Sequence, residues 1–353
     1  MSSVEYFFPW GASELKDLVD LIESDNKPEK LIVFSPEEWE AATLYTDPTS
    51  FTLFKRFLDF HNVKLEIITG AVLDSKLSPN YFLNSVPEVT GSWPTFFANF
   101  VLRHSFENQV RPFGHNKEIT KHFTSLNGRA HPWRCMFIDY MYKENLFQHG
   151  FISWHNTEEW SYQYDFKWWT PERMEFDQKW IEAKKFHSFL NIFIPPEEFK
   201  DSLFSIISES HPRALFITEK TYVPIYHQRP FLISGAPYTH RYLKKMGFKL
   251  FDEVIDYSFD KELDDEKRCE MFMKEVAKLC QYDITELQNK LQKKVLYNFN
   301  NLLNIVQTNE HASDSILDAI QGIPDIDQRE HYHQTFDIKR IPDNYNFLKK
   351  VQK

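Results

Sequence analysis

Short apolar runs alternate along this chain with segments whose apolar residues recur every three or four positions. Lys30 to Phe34 and Val63 to Thr69 have the composition of short buried strands. Each is preceded by a segment with one apolar helical face, from Ser13 to Ile22 and from Ser50 to His61. Alternating helices and short strands are typical of layered α/β proteins. The first part of the chain is therefore predicted to be an α/β domain.

The same alternation returns after residue 118. The pattern predicts a strand at Lys121 to Leu126, a turn at Asn127 to Arg129, a helix opening at His131 and a strand at Phe151 to Trp154. The inner face of that helix is expected to carry Trp133, Phe137, Tyr140 and Met141. This segment is a second strand-helix-strand unit.

A third unit of this kind is predicted between residues 215 and 235. Its apolar runs are Leu215 to Ile217 and Phe231 to Ser234, with a segment that can form a helix between them. Polar side chains gather directly after the first run, at Thr218, Glu219 and Lys220. Ligands of open α/β sheets bind where strands end and helices begin. We therefore expect a binding site at this end of the unit.

Long helices dominate the rest of the pattern. Tyr238 to Met246 predicts a helix that ends at Gly247, and longer helices are predicted at Lys261 to Gln281 and at Asp283 to Thr308. Their charged residues are interspersed, as on a solvated face.

The length of 353 residues suits two domains of ordinary size. We predict an N-terminal α/β domain at 1–115 and a C-terminal α/β domain at 116–335, with the boundary placed somewhere within 116–185. A tail at 336–353 is expected to pack back on the first domain.

Composition narrows the possible functions. Hydrophobic residues make up 42% of the chain, which is enough for packed cores, and only 9 residues are Gly. No Gly-x-Gly-x-x-Gly or Walker-type loop occurs. The formal net charge of -10 argues against a general nucleic-acid binder.

The three cysteines, Cys135, Cys269 and Cys280, are odd in number and form no Cys-x-x-Cys pair. This spacing suggests neither a disulfide framework nor a zinc site, and it fits a reducing compartment. The N-terminal residues lack a basic stretch followed by an apolar one, and no long uninterrupted apolar run is present. We expect a soluble, cytoplasmic protein with no integral membrane segment.

The polar residues have the chemistry that a nucleotide-sugar requires. A diphosphate needs cations and backbone donors, and a ribose needs a carboxylate that accepts from its hydroxyls. Arg129 and Arg134 fall in a strand-to-helix turn and a first helical turn, where free N–H groups favour an anion. Lys220 can add a cation and Glu219 the carboxylate. Each of these residues alone would ordinarily be a solvated charge.

The order of three segments resembles a known family. Ser208–Ser210, Phe216–Tyr222 with its Ile-Thr-Glu-Lys core, and Arg229–Gly235 resemble the donor-binding motif of α-1,3-fucosyltransferase-like enzymes. The likeness spans roughly residues 119 to 260 and is specific only when the full order is considered. Ser210 stands where the family has Asn.

The resemblance implies roles for individual residues. Glu219 would contact the ribose, Lys220 the phosphates, Arg134 the diphosphate, and Glu209 the donor sugar or base. The expected donor-binding set is completed by Ser208, Thr218 and Arg129.

The resemblance also implies an architecture and an activity. The family has two Rossmann-like domains of the GT-B type, with the donor in the C-terminal domain, the acceptor side in the N-terminal one and a cleft between them. Such enzymes need no metal or other cofactor. The implied function is transfer of a sugar from a GDP- or UDP-linked donor to a glycan or other hydroxyl acceptor, with inversion.

Other possibilities stay open at this point. The catalytic base is unassigned among Glu37, Glu38, Asp74 and Glu107. A non-catalytic carbohydrate-binding or interaction protein could use the Trp-rich segment at 154–180, which equally suits an aromatic packing patch. An enzyme acting on another phosphorylated metabolite would share the anion site.

Overall fold

The computed structural model of the protein describes part of the chain. Its described residues are 5–8, 20, 22–25, 27–35, 55–72, 89–92, 94–95, 97–98, 101, 119–128, 130–154, 164–169, 197–209, 212 and 215–308. Several predicted features lie outside them, among them Arg129, Trp160, Trp180 and all four candidate catalytic carboxylates.

The architecture is mixed α/β, with two parallel sheets and several helices. The strands are β1 Glu5–Phe8, β2 Lys30–Ser35, β3 Lys64–Thr69, β4 Val89–Ser92, β5 Lys121–Asn127, β6 Gly150–Trp154, β7 Ser202–Ser208 and β8 Phe231–Ser234. The helices labelled below are α1 Pro132–Lys143, α2 Glu197–Lys200, α3 Glu219–Tyr226, α4 Thr239–Lys245, α5 Asp265–Leu279 and α6 Ile284–Thr308.

Chain contacts divide the protein into two compact units. The first is Met1–Asn99 together with Ile305–Lys353, and the second is Phe100–Asn304. The domain boundaries inferred from sequence stay a prediction.

The first unit contains a parallel sheet in the order β1-β2-β3-β4. Leu31 of β2 lies opposite Leu65 of β3, and the register continues to Ser35 opposite Thr69. Leu31 is fully buried, as expected for a strand covered on both faces. The strands predicted at 30–34 and 63–69 are thus confirmed.

The second unit contains a parallel sheet in the order β6-β5-β7-β8. The chain passes from β5 outward to β6, then returns to the other side of β5 to form β7, and continues outward to β8. The direction of winding therefore reverses between β5 and β7, which is the topological switch point of a doubly wound sheet.

Helix α1 begins where the sequence predicts it. His131 is its N-cap residue and Pro132 occupies the first turn, where its fixed φ suits a helix and its missing N–H is not needed. All four residues expected on the inner face, Trp133, Phe137, Tyr140 and Met141, are buried. Phe137 packs against Phe272 of α5, with ring centroids 5.9 Å apart.

One predicted strand is wrong. Leu215–Ile217 is buried but belongs to no sheet, and the strand before α3 is instead β7, Ser202–Ser208. Every residue of β7 is buried because the strand is central and covered on both faces. Its three serines interrupt the apolar run that usually marks such a strand. As a result Glu209, rather than Thr218, directly follows the strand.

The C-terminal helices close the second unit. Helix α4 ends at Lys245, and Gly247 follows its C-cap residue with a φ of +85°, the left-handed conformation that favours glycine at this position. Helix α5 packs on α1, and Asn298 of α6 bonds both backbone groups of Lys249. In the described part of the chain no helix has the length and apolarity needed to cross a membrane.

Candidate functional site

The carboxyl ends of β5 and β7 separate at the switch point. Strand β5 stays in register with β6 as far as Asn127 opposite Trp154. Its register with β7 ends earlier, at Thr124 opposite Ser205. The last three residues of β5 and of β7 are therefore not paired with each other. The carboxyl edge beside the switch point is where open α/β sheets bind their ligands.

Buried polar side chains occupy the last positions of three strands at this edge. Asn127 ends β5, Ser208 ends β7 and Ser234 ends β8, and all three are at least 97% buried. Ser208 lies directly opposite Ser234 in the sheet register. The side-chain nitrogen of Asn127 donates to the carbonyl and hydroxyl oxygens of Ser125, at 3.2 and 3.1 Å.

Three atoms of these side chains have no hydrogen-bond partner among the described residues: Oδ1 of Asn127, Oγ of Ser208 and Oγ of Ser234. A buried polar atom left without a partner costs about 1–3 kcal/mol of folding free energy. Native proteins contain few such atoms, and a group of them at one sheet edge calls for a polar ligand or ordered water.

Glu209 fastens the start of helix α3. Its carboxylate is 99% buried and accepts from the backbone N–H of Thr218 at 3.2 Å and from the hydroxyls of Thr218 and Thr221 at 2.7 Å each. A carboxylate at a helix N-terminus is stabilised by the helix dipole and by charge-assisted hydrogen bonds. Glu209 thus orients α3 through its own hydrogen bonds.

Thr218 is the N-cap of α3. Its hydroxyl oxygen accepts from the backbone N–H of Lys220 while donating to Glu209. Lys220 Nζ lies 2.8 Å from Glu219 Oε1 and 3.3 Å from Thr218 Oγ1. The Lys220 side chain is 28% exposed and that of Glu219 is 12% exposed, so a ligand at this edge could reach both.

The starts of α1 and α3 differ in electrostatics. The crossover from β5 to β6 and the crossover from β7 to β8 run in opposite directions across the sheet. Because such crossovers are right-handed, α1 and α3 lie on opposite faces of the sheet, and both helices begin at its carboxyl edge. Helix α3 already has Glu209 and Glu219 near its first turn. Helix α1 has no acidic residue in its first turn and no side-chain cap from His131. The positive end of the α1 dipole is therefore the better anion site.

Arg134 lies in the first turn of α1 and is 3% exposed. A buried guanidinium carries its positive charge where solvent screens it weakly. The second basic residue predicted for this turn, Arg129, lies outside the described residues.

Arg268 is a functional candidate that sequence reasoning missed. It is 3% exposed, lies in the first turn of α5, and holds three loop segments of the same sheet edge together. Its guanidinium donates to the carbonyl oxygens of Gly235, Glu262 and Pro212 and to the carboxylate of Asp265. It also lies 5.4 Å from the ring centroid of Trp133, in the first turn of α1.

A signal for Arg268 exists in the sequence. A cation in the first turn of a helix opposes the helix dipole, so an Arg at that position indicates a tertiary partner. The interspersed charges of this helix predict a solvated face instead, and for Arg268 that prediction is wrong.

Gly235 brings the end of β8 close to Glu209. A Cβ at position 235 would lie 3.2 Å from Oγ1 of Thr239 and 3.4 Å from Cβ of Glu209. A side chain at position 235 would therefore require Thr239 to shift by a few tenths of an ångström.

The Trp-rich segment is mainly a packing patch where it is described. Trp154 and Trp169 are at least 99% buried, with their ring centroids 5.4 Å apart in an edge-on arrangement. The carboxylate of Asp139 accepts from the backbone N–H groups of residues 167, 168 and 169. Fully buried indoles cannot stack on a carbohydrate. Trp168 is only partly buried, and its ring lies 4.7 Å from the ammonium of Lys143.

The structure thus brings Glu209 together with Thr218, and Glu219 together with Lys220, while Ser208 ends the strand beside them. Asn127, Ser234 and Arg268 were not in the predicted set. Comparison of the chain with known protein families, curated proteins and solved structures found no match.

Proposed function

We propose that this protein is a glycosyltransferase that takes a nucleotide-sugar donor at the carboxyl edge of the second unit's sheet. The observation that carries the proposal is the group of buried polar atoms on Asn127, Ser208 and Ser234 at this carboxyl edge. Hydroxyl and amide oxygens of this kind can accept from, and in the case of serine donate to, the hydroxyls of a ribose or a sugar. The ordered motif around Glu209 and Lys220 supports the same activity.

The diphosphate of the donor is assigned to the start of α1. Arg134 supplies a cation there, and the positive end of the helix dipole favours the same anion. Glu219 and Lys220 stand at the start of α3 on the rim of the site, and in this proposal they contact the ribose and the phosphates. Glu209 acts as a positioning residue in this assignment, because its carboxylate already accepts three hydrogen bonds.

The proposal extends to the whole chain. The two units would be the two Rossmann-like domains of a GT-B enzyme, with the acceptor glycan bound by the first. The donor would be GDP- or UDP-linked, and transfer would be inverting. The described cysteines are buried thiols, which suits the cytoplasmic location that the sequence suggests.

Metal independence is part of the proposal and is tested directly. The chain contains one Asp-x-Asp triplet, Asp325–Asp327, outside the described residues. Pairs of carboxylates at this spacing can hold a divalent ion. Nucleotide binding and turnover are therefore measured with Mg²⁺ and with a chelator, and equal results are expected.

The binding experiment uses the full chain and thermal unfolding with GDP-, UDP- and dTDP-sugars at millimolar concentration. One of them should raise the unfolding temperature, since a ligand at 100 times its Kd stabilises by about 2.7 kcal/mol. Arg134→Ala and Lys220→Ala should each weaken binding by about 1.5–3 kcal/mol, the range for charge-assisted hydrogen bonds. Because Arg134 is buried, Arg134→Lys serves as a second variant if the alanine protein does not fold.

Lys143→Ala is the matched control. Lys143 lies in the last turn of α1 and pairs with Glu270 at 3.2 Å, so its loss should leave nucleotide affinity unchanged. Absence of stabilisation by every nucleotide and nucleotide-sugar would overturn the function. Binding that neither Arg134 nor Lys220 affects would overturn the site assignment. Glycan binding without nucleotide affinity would favour the carbohydrate-binding alternative.

A further inference from the structure

Three side chains of the types that bind transition metals meet at the amino edge of the second unit's sheet, opposite the carboxyl edge described above. His122 is the second residue of β5, His149 directly precedes β6, and Cys280 follows the last residue of α5. Their ligand atoms all lie within 4.8 Å of one another. Across the described parts of the chain, this is the only group of three such side chains at this spacing.

The distances approach those of a metal centre. Imidazole nitrogens bind Zn²⁺ at about 2.0–2.1 Å and thiolate sulfur at about 2.3 Å, so tetrahedral ligands lie roughly 3.3–3.6 Å apart. The three side chains would therefore close by roughly 1 Å on binding, which side-chain rotation can supply. The imidazole rings of His122 and His149 are already in contact, in an edge-on arrangement with centroids 5.6 Å apart.

The hydrogen bond of His122 prepares one nitrogen for a metal. Its Nε2 lies 2.9 Å from the backbone oxygen of Tyr282. A carbonyl oxygen can only accept, so Nε2 carries the proton and Nδ1 keeps its lone pair. Metal-binding histidines usually donate their other N–H to such an oxygen. The side-chain amide of Gln148, 3.3 Å from Nε2 of His149, can present its oxygen or its nitrogen and so accommodates either tautomer.

A cysteine binds a metal ion as the thiolate, so binding releases the thiol proton of Cys280 and affinity should rise with pH.

We propose that His122, His149 and Cys280 form a binding site for a transition-metal ion, with Zn²⁺ as the expected ion and water in the fourth position. Imidazole and thiolate ligands select Zn²⁺ over Mg²⁺ or Ca²⁺. The ion would join the amino ends of β5 and β6 to the end of α5. The site lies at the sheet edge opposite the one assigned to the donor, and the inference is independent of the glycosyltransferase proposal.

The test uses the full chain, first freed of metal with a chelator. Co²⁺ is added as a spectroscopic substitute for Zn²⁺, and one equivalent should produce a thiolate charge-transfer band and the intense visible bands of tetrahedral coordination. Zn²⁺ should displace Co²⁺ and should raise the unfolding temperature. Cys280→Ala should abolish the charge-transfer band. Cys280→Ala and His149→Ala should each weaken Co²⁺ binding by about 100-fold or more, because the loss of even an outer-shell partner lowers metal affinity by about 10–100-fold.

Cys269→Ala is the matched control, because Cys269 is also a buried thiol of α5 but is not in the cluster. It should retain the full spectrum and affinity. Circular dichroism of each metal-free variant checks that it folds, and His122→Ala provides a further variant. Failure of Co²⁺ to bind, a spectrum without thiolate coordination, or equal loss in Cys269→Ala would overturn the proposal.

Discussion

The carboxylate of Glu209 and the N-cap residue Thr218 are joined by two hydrogen bonds, one from the backbone N–H at 3.2 Å and one from the hydroxyl at 2.7 Å. The first residue after β7 thus fixes the first turn of α3, across the stretch of chain that separates them. This connection sets the position of Glu219 and Lys220 at the sheet edge, because both follow the N-cap directly.

Glu209→Gln should destabilise the protein without changing side-chain size. All three partners of this carboxylate are donors, and a glutamine amide would turn a second donor towards at least one of them. The expected loss is about 1.5–3 kcal/mol in the free energy of unfolding, measured with urea. Glu219→Gln is the control, since its partly exposed pair with Lys220 should contribute less than about 1 kcal/mol. Equal losses of unfolding free energy in the two variants would show that the hydrogen bonds of Glu209 do not hold the start of α3.

Ser208→Ala separates stability from function. The Ser208 hydroxyl is buried without a partner among the described residues, so its removal should leave the unfolding free energy unchanged or raise it by up to about 1 kcal/mol. If a donor uses this hydroxyl, the same variant should bind nucleotide-sugar more weakly. Residues kept for function at the expense of stability behave in this way.

Ser153→Ala is the matched comparison. Ser153 is a buried serine near the end of β6, and its hydroxyl oxygen accepts from the backbone N–H of Asn127 at 3.0 Å. Its removal should lower the unfolding free energy by about 1 kcal/mol because a buried N–H loses its partner. A clear destabilisation by Ser208→Ala in the same urea experiment would show that Ser208 has a structural partner.

Periodicity and the local signals of helix ends together predicted most of the helices and strands of the second unit. The start of α1 was predictable because Pro132 and the apolar residues after it combine a first-turn signal with helical spacing. The end of α4 was predictable from Gly247. The strand β7 was not, because a central strand shows no alternation and its serines resemble a polar break.

The candidate site was only partly predictable for a related reason. Thr218, Glu219 and Lys220 carry a local capping signal that can be read along the chain. Asn127 was read as part of a turn, and its burial follows from the sheet that forms around it. The group of His122, His149 and Cys280 has no ligand spacing in sequence, since the fold alone brings the ends of distant elements together.

Arg268→Lys should destabilise the carboxyl edge although the charge is kept. The guanidinium bonds three carbonyl oxygens and one carboxylate from a buried position, and an ammonium cannot reach all four with its three donors. The expected loss is about 2–4 kcal/mol in the free energy of unfolding, since buried acceptors are left without partners. Arg241→Lys, at an exposed position of α4, should change it by less than about 0.5 kcal/mol.

Arg268→Lys also tests whether the carboxyl edge of the sheet is held in its binding geometry before the ligand binds. Because Arg268 bonds Gly235 and Pro212 in the loops that follow two strands, its loss should weaken nucleotide-sugar binding as well as folding. Affinity measured by calorimetry well below the unfolding temperature separates the two effects. Unchanged affinity in a folded Arg268→Lys protein would limit this residue to a role in stability.

The ion cluster around Lys294 predicts a pH dependence. Its ammonium donates to Asp252, Glu253 and the backbone oxygen of Leu250. The hydrogen bond from Lys294 lowers the pKa of Asp252 below its ordinary value of 3.8. A carboxyl whose pKa is lower in the folded state stabilises it above its unfolded pKa, and this stabilisation is lost as pH falls through the folded pKa.

Lys294→Met should therefore lower the free energy of unfolding more at neutral pH than at acid pH. Because Asp252 is largely exposed, the pH-dependent part should be less than about 1 kcal/mol. Urea unfolding of wild type and Lys294→Met is compared at pH 7 and at successively lower values down to pH 3. The difference should narrow below about pH 4 but should not vanish, since the Leu250 carbonyl loses its donor at every pH. Lys290→Met, on an exposed face of α6, controls for the loss of one positive charge. If the difference in unfolding free energy between wild type and Lys294→Met widened towards acid pH, the cluster would not stabilise the ionised form of Asp252.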